Sequence, residues 1–250
     1  MADGASLLVA VGGDGTVNEV ANGIAGPGQA AEVELAILPR GTGIDFVRTF
    51  GIPESFDAAV SVAVAGQPRR VDLGRATYET EKGSVTRLFT NIASAGMSGE
   101  IAHRANATTK ILGGKLSYLW ATGVVFARSR PHVLRVDVNG EQREGPMYDV
   151  IVANGSYLAA GIHICPDARP DDGLFDVLLI KDIGKLDLAR TMPKAYLGRH
   201  LPHPKAEVIR GATVTVRADT VLRVELDGEQ PGTTPARFEV VPAALRLRVP

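Results

Sequence analysis

A glycine-rich turn near the start of the chain constrains its fold more than any other feature. The five residues Gly12-Gly13-Asp14-Gly15-Thr16 follow an apolar run, residues 7–11, that predicts a buried strand. Apolar residues at helical spacing come directly after the turn, at Val17, Val20, Ala21 and Ile24. Glycines let a backbone approach an anion closely, and the first turn of a helix offers unpaired N–H groups and a partial positive charge. The turn therefore predicts a phosphate-binding loop between a strand and a helix.

The turn does not match the two commonest phosphate-binding patterns. It lacks the Gly-Lys-Ser/Thr ending of the Walker motif, and its glycines are spaced wrongly for a dinucleotide fingerprint. A purely structural interpretation is open as well, in which Thr16 caps the helix and Glu19 completes a capping box. Helix capping and phosphate binding are compatible, so neither interpretation excludes the other.

A second turn of the same kind follows the next predicted strand. Residues 35–38 form a short apolar run, and Pro39-Arg40-Gly41-Thr42-Gly43 leads from it into a predicted helix over residues 45–50. A further helix is predicted over residues 56–65. Strands that alternate with helices indicate a parallel, doubly wound sheet, and both turns then lie at the carboxyl edge of that sheet, where ligands bind.

The pattern changes near residue 70, beyond which most apolar segments are short and typical of strands. Asn139-Gly140 between two of them predicts a tight hairpin. We therefore predict an α/β fold plus a β fold. Residues 1–70 would form a small doubly wound α/β nucleotide-binding domain, and residues 71–250 a larger antiparallel β-sandwich domain. The last residues of the chain can return to the first domain.

Composition narrows the class of protein. A formal net charge of -1 gives no global basic field, so we expect no nucleic acid partner. Cys165 is the only cysteine, which excludes an intramolecular disulfide and fits a reducing cytoplasm. No segment approaches the ~20 apolar residues of a membrane-spanning helix, so any contact with a membrane would be peripheral.

Several motifs, in order along the whole chain, resemble those of one enzyme family. Beside the two glycine-rich turns they are Val71-Asp72-Leu73-Gly74, Asn154-Gly155-Ser156, residues 166–174, Leu226-Asp227-Gly228-Glu229 and residues 242–245. The chain is similar to the diacylglycerol kinase and sphingosine kinase superfamily in its bacterial soluble form. That family has an additional strand and helix before the first glycine-rich turn, so we expect an NAD kinase-like domain without its usual N-terminal segment. Ile44 also stands where the family usually has asparagine.

The resemblance implies an ATP-dependent lipid kinase. It would phosphorylate the hydroxyl of diacylglycerol or of a related lipid such as a sphingoid base, with ATP and Mg²⁺ as cofactors. The expected location is the cytoplasm, peripherally at the inner membrane surface, and a homodimer is compatible with the sequence. Two alternatives stay open: an NAD kinase-like enzyme, and a non-catalytic relative that binds a nucleotide or a lipid.

The resemblance also implies site residues. The nucleotide would bind at Gly12, Gly13, Asp14, Gly15, Thr16, Val17, Asn18, Thr42, Gly43 and Asp45. Asp227 and Glu229 are the candidates for the general base, with Asp14 and Asp72 as further catalytic carboxylates; an ordinary Asp-Gly hairpin is the structural alternative for Asp227. A magnesium ion would be held by the Asp172 carboxylate and the main-chain carbonyls of Arg169 and Leu174.

One predicted helix suggests a lipid contact. Residues 115–127 carry an apolar stripe that includes Leu119 and Trp120, with basic residues nearby. Such a stripe could dock on an anionic bilayer, but packing against the β domain explains the same stripe and is the favoured interpretation.

Overall fold

The computed structural model describes residues 5–25, 33–41, 43–112, 124–125 and 128–250, with the backbone alone for residues 105–112. Its helices are α1 Asp14–Ile24, α2 Asp45–Thr49, α3 Phe56–Ala65, α4 Met97–Leu112 and α5 Lys185–Tyr196. Its strands are β1 Leu7–Gly12, β2 Glu34–Pro39, β3 Gln67–Thr80, β4 Gly83–Phe89, β5 Ile92–Gly96, β6 His132–Val138, β7 Glu141–Ala153, β8 Tyr157–Leu158, β9 Ile162–His163, β10 Phe175–Lys181, β11 Ala206–Gly211, β12 Thr213–Ala218, β13 Arg223–Leu226 and β14 Glu229–Val249.

The N-terminal part is a parallel sheet with helices on both faces. Strand β1 pairs with β2 in parallel, and β2 pairs in parallel with the end of β14. Leu35 and Ile37 of β2 pack with α1 on one face, whereas Ala36 and Leu38 pack with α3 on the other. Alternate residues of a strand point to opposite faces, so this division follows from the apolar run of β2. The predicted doubly wound sheet is confirmed.

The larger part is an antiparallel β domain whose strands form a closed ring. Each strand in the order β14–β12–β6–β7–β5–β13 pairs with the next, and β13 pairs with β14 again. Strands β10 and β11 extend the sheet beyond β7. Val138 pairs with Glu141 across the two-residue turn that Asn139-Gly140 predicted. The predicted antiparallel β fold is confirmed as well.

Phenylalanines fill the centre of the ring. Phe89, Phe175 and Phe238 are fully buried there, and the centroids of the first two rings lie 5.6 Å apart in a stacked arrangement. Gly74 of β3 lies directly against Phe89, where an added Cβ would come within 2.1 Å of the ring. The glycine of the Val71-Asp72-Leu73-Gly74 motif therefore makes room for a core side chain.

Two long strands join the parts. Strand β14 has 21 residues and pairs with β3 along both halves of its length. Its first half belongs to the closed ring, and its last residues lie between β2 and β3. Residue 70 lies inside the continuous strand β3, and a domain boundary at that point stays a prediction.

No helix within the described ranges is long and apolar enough to cross a membrane.

Candidate active site

The two glycine-rich turns touch each other through their backbones. The Arg40 N–H donates to the Gly12 carbonyl over 2.8 Å, and the Asp14 N–H donates to the Gly43 carbonyl over 3.2 Å. A Cβ added to Gly41 would lie only 2.6 Å from the Cα of Gly13. Glycine is therefore required here for the close approach of one turn to the other.

Asp14 links the first turn to helix α2. Its carboxylate accepts hydrogen bonds from the N–H groups of Asp45 over 3.0 Å and Phe46 over 3.1 Å, at the start of that helix. Enclosure of the carboxyl group raises the pKa of Asp14 to about 6, against the effect of these two donors. The geometry gives Asp14 a positioning role between the turns, whereas its predicted contact with nucleotide or metal stays a prediction.

Helix α1 begins three residues earlier than a Thr16 cap requires. Its N-cap is Gly13, which has no side chain to cap the helix, and the capping box of Thr16 and Glu19 is wrong because both residues lie inside the helix. The N–H groups of Gly15 and Thr16 lie in the first turn, where a helix offers no carbonyl partner. A Cβ added to Gly15 would meet nothing within 4 Å. The helix start is thus open to an anionic ligand.

Other predicted nucleotide contacts face away from this opening. Val17 is buried in the core, and its N–H donates to the Gly13 carbonyl over 3.1 Å. The Asp45 carboxylate is enclosed as well, where it accepts the Ala160 N–H over 2.7 Å and pairs with Arg48 at 3.0 Å; burial raises its pKa. Ile44 packs into the same core as α1, which explains an apolar residue there. Thr42 lies outside the described residues.

Asn18 and Asp227 connect helix α1 to the β domain. The Asn18 side-chain amide donates to Asp227 Oδ2 over 2.7 Å. The same oxygen accepts from the N–H of Thr90 at 2.7 Å and from its hydroxyl at 2.8 Å, and Oδ1 accepts from the N–H groups of Asn91 at 2.9 Å and Ile92 at 3.0 Å. Five donors therefore surround one carboxylate.

The position of Asp227 is set by a tight hairpin turn. Leu226 pairs with Glu229, and the two residues between them, Asp227 and Gly228, have φ values of +47° and +88°. A two-residue turn with two positive φ angles matches the twist of the flanking strands, and Asp-Gly suits it. The hairpin that was the structural alternative for Asp227 is therefore present, and it points the carboxylate at residues 90–92.

Glu229 lies beside Asp227 and is open to solvent. Its side chain is 53% exposed and accepts a hydrogen bond from Arg87 NH1 over 2.7 Å. Arg87 NH2 lies 3.4 Å from Asn18 Oδ1. The contacts Asp227–Asn18–Arg87–Glu229 thus form a continuous line from the glycine-rich turn to the β domain.

Asp72 holds the loop of residues 170–174 against the end of the chain. Its carboxylate accepts the Gly173 N–H over 2.8 Å and the Ala243 N–H over 2.7 Å, and its own N–H donates to the Pro170 carbonyl over 2.7 Å. The residue is 4% exposed. Asp72 therefore connects three segments. Its main-chain carbonyl accepts the Asn154 amide over 2.9 Å, and the same amide donates to the carbonyl of Thr90, a partner of Asp227, over 2.7 Å.

The predicted magnesium ligands do not fit a bound cation as they stand. Both oxygens of Asp172 have protein partners: Oδ1 accepts the Leu174 N–H over 3.1 Å, and Oδ2 is paired with the Arg210 guanidinium. A positive charge thus already faces the only carboxylate of the predicted set, and the main-chain carbonyls of Arg169 and Leu174 add no charge. Magnesium at this loop stays a prediction that would require Arg210 to move.

Two carboxyl groups near the Asp227 turn were not predicted: Glu225, which is half-buried, and Asp149, which is fully buried. Glu225 Oε1 accepts the Gly228 N–H over 2.5 Å and Oε2 accepts the Ser94 hydroxyl over 2.9 Å, while Asp149 accepts the N–H and hydroxyl of Ser98. Burial raises the pKa of Glu225 to about 8 and that of Asp149 to about 7. An aspartate inside the apolar strand of residues 147–153 is the signal that sequence reasoning missed. Nothing in the sequence around Arg87 or residues 90–92 marks these residues as part of the site.

The fold and this site define a class of kinases that pair a glycine-lined nucleotide sheet with a closed β domain. Residues 1–76 match the diacylglycerol kinase catalytic domain, and residues 91–249 match the YegS C-terminal NAD kinase beta sandwich-like domain. The chain therefore belongs to the diacylglycerol kinase and YegS-like family of lipid kinases, and the prediction of a kinase of this family is confirmed.

Similar proteins agree with this assignment. A diacylglycerol kinase of Staphylococcus saprophyticus is 28% identical over 93% of this chain and 73% of its own length; one of Staphylococcus aureus has the same identity over 70% of its length. The crystal structure of a Bacillus anthracis protein assigned as a diacylglycerol kinase aligns with a TM-score of 0.77 and 25% identity, over 98% of this chain and 78% of that one. Yeast NADH kinase, at 12% identity and a TM-score of 0.53, shares the fold.

Proposed function

We propose that the protein transfers the γ-phosphate of ATP to the hydroxyl of diacylglycerol or of a related lipid at a membrane surface. The observation that carries the proposal is the contact between Asn18 of the glycine-lined helix and Asp227 of the β domain. This contact brings an open helix start, suited to phosphate, next to the hairpin that carries Glu229, whose solvent-accessible carboxylate is suited to take a proton. Diacylglycerol kinases among the similar proteins support the lipid acceptor.

Glu229 is the general base in this proposal. The Asp227 oxygens already accept five hydrogen bonds, and protonation there would cost at least one of them. Glu229 is half exposed, and among the described residues its side chain is paired with Arg87 alone, so a lipid hydroxyl can approach it. The sequence left the choice between the two carboxylates open, and their different surroundings favour Glu229, with Asp227 holding the turn in place.

The chemistry requires one bond to form and one to break. The lipid oxygen attacks the γ-phosphorus while its proton passes to Glu229, and the bond from the γ-phosphorus to the bridging oxygen breaks, so that ADP leaves with the electron pair. The N–H groups of Gly15 and Thr16 would bind phosphate oxygens, and the close packing of Gly13 on Gly41 would keep the two turns in register. The ATP phosphates would bring Mg²⁺, which neutralises their charge.

Contact with the membrane is supported by helix α5. Leu186 and Leu197 are 64% and 66% exposed, and a separation of 11 residues places them about three turns apart on one side. The exposed Lys185, Arg190, Lys194 and Arg199 each lie within four residues of one of these leucines along the chain. Apolar side chains among cations suit the interface of an anionic bilayer.

A phosphate-transfer assay tests the reaction. Radiolabelled ATP is offered with diacylglycerol, a sphingoid base and NAD in parallel, with and without Mg²⁺. Label in a lipid product supports the proposal, whereas label in NAD alone would favour the NAD kinase-like alternative that the sequence left open. Vesicle sedimentation tests the membrane contact: Leu186→Ser with Leu197→Ser should reduce binding to anionic vesicles. Val64→Ser, at an isolated residue of α3 that is 74% exposed, is the matched control.

A further inference from the structure

Arg87 of strand β4 lies between the nucleotide side and the acceptor side of the proposed site. One guanidinium nitrogen donates to Glu229 Oε2 over 2.7 Å, and the other lies 3.4 Å from Asn18 Oδ1. The side chain is 33% exposed and therefore borders the solvent-filled side of the site. Within the described ranges, no other cation contacts Glu229 or Asp227.

Arg87 is not needed to hold the fold together. Strand β4 pairs only with β3 in the described sheet, and its side-chain contact with Glu229 is partly exposed on both partners. Ion pairs of this kind contribute about 0–1 kcal/mol. Arg87 therefore contributes little to stability. It contacts Asn18 of the helix that is proposed to bind phosphate, which suggests a role in the reaction.

We propose that Arg87 is a catalytic residue that binds the transferred phosphoryl group. In the nucleotide-free protein its guanidinium is paired with Glu229; with a triphosphate bound, it turns to the γ-phosphate oxygens. This inference rests on the proposed function and adds a residue to it. A planar guanidinium suits phosphate because its N–H groups match two oxygens at once.

The change of partner couples two events at the reacting atoms. When the guanidinium moves to the γ-phosphate, Glu229 is released from its ion pair and is available to the lipid hydroxyl. The hydroxyl proton then passes to Glu229, the new oxygen–phosphorus bond forms, and the leaving diphosphate takes the electrons of the broken bond. Arg87 neutralises the charge on the transferred group and neither gains nor loses a proton.

The decisive measurement compares nucleotides that differ by the γ-phosphate. Calorimetric titration of Arg87→Met with ATP and with ADP should show a loss of about tenfold or more in ATP affinity, while ADP affinity changes by less than about twofold. A purely structural ion pair would lower both affinities or neither. Arg135→Met is the matched control, because Arg135 forms a similar exposed ion pair with Glu144 at 2.9 Å, on the hairpin of β6 and β7.

Turnover gives a second readout. Arginines that stabilise a transferred phosphoryl group contribute about 10³-fold or more to kcat, so we expect a loss of that order in Arg87→Met with little change in the KM for the lipid. Arg87→Lys should recover part of it, since it keeps the charge and loses the second nitrogen. Equal affinities of Arg87→Met and the parent for ATP, with turnover within about threefold, would overturn the proposal. If the parent transfers no phosphate to any lipid, the proposed function fails, and the difference between ATP and ADP still decides the role of Arg87.

Discussion

The side-chain amide of Asn18 donates to the Asp227 carboxylate over 2.7 Å, although 209 residues separate the two in the chain. Asn18 is 4% exposed and also donates to the Leu88 carbonyl over 3.3 Å. Asn18 of helix α1 thus contacts the β domain at two points. The helix start and the hairpin of Asp227 therefore keep a fixed spacing, as a site that joins two substrates requires.

Asn18→Asp should break the contact between helix α1 and the Asp227 hairpin and so destabilise the protein. The substitution places a second carboxylate against Asp227 Oδ2 and removes the amide donor, so we expect a loss of about 2 kcal/mol or more in the free energy of unfolding. Urea denaturation at pH 7 measures it. Gly23→Asp, at an exposed position of α1 where an added Cβ would meet nothing within 4 Å, is the control for charge in the helix. An equal loss in both variants would contradict a stabilising contact between Asn18 and Asp227.

Glu229→Gln should separate catalysis from stability. The side chain is half exposed, so the melting temperature should stay close to that of the parent, whereas kcat should fall about 10²- to 10⁴-fold if Glu229 takes the proton. Glu239→Gln, in the same strand and paired with Arg237 at 2.8 Å, is the matched control. Full activity of Glu229→Gln would exclude Glu229 as the base.

The protein should lose stability as pH rises through neutrality. The pKa of Glu225 is raised from 4.5 to about 8 in the folded state, so from about pH 4.5 upward the unfolded chain releases this proton first. This contribution is complete below pH 4.5 and is lost as pH rises to about 8. Asp149 and Asp14 act in the same direction, up to about pH 7 and about pH 6. Glu225→Gln keeps an acceptor for Gly228 and removes the titration. Urea unfolding at pH 5 and pH 9 should show a smaller difference for this variant than for the parent.

Asp72→Ala should destabilise the protein while the side-chain contacts among Asn18, Arg87, Asp227 and Glu229 stay in place. The N–H groups of Gly173 and Ala243 would each lose a charged acceptor in a nearly closed environment. We expect a loss of about 2–4 kcal/mol, seen as a lower urea midpoint. Asp171→Ala, which removes an exposed pair with Arg69 in the same loop, should cost far less. Similar midpoints for the two variants would contradict the role of Asp72.

Magnesium should act on the loop of residues 170–174 only when Arg210 is removed. The guanidinium already faces Asp172, so Mg²⁺ or a chelator should leave the melting temperature of the nucleotide-free parent unchanged. In Arg210→Ala the carboxylate is uncovered, and millimolar Mg²⁺ should raise the melting temperature. A shift of the parent by Mg²⁺ would mean that the ion displaces Arg210.

Local patterns predicted the elements of the fold, because strands β1 and β2 and helices α1 and α3 depend on the spacing of apolar residues and on nearby glycines. The same local reasoning was wrong about a capping box at Thr16 and Glu19. The helix begins at Asp14, with the extended Gly13 as its N-cap, and the Asp14 side chain accepts hydrogen bonds from the start of α2.

Contacts between distant segments were beyond sequence reasoning. The resemblance pointed to Asp227 and Glu229 as a pair. Only the structure shows that Asp227 accepts five hydrogen bonds, whereas Glu229 is exposed to solvent. Arg87 lies in a strand whose first residues are exposed, where a charged side chain is ordinary. Its neighbours Asn18 and Glu229 come from opposite ends of the chain, so no spacing along the sequence relates the three.

The single strand β14 has a consequence for dissection of the enzyme. Its final residues supply the neighbour of β2, so a fragment that ends at residue 70 would leave β2 with an unpaired edge and Leu35 without Leu247 across from it. Unpaired strand edges invite aggregation. A fragment of residues 1–70 is therefore expected to be insoluble by itself. It should become soluble when residues 229–249 are supplied as a separate peptide or fused to its end.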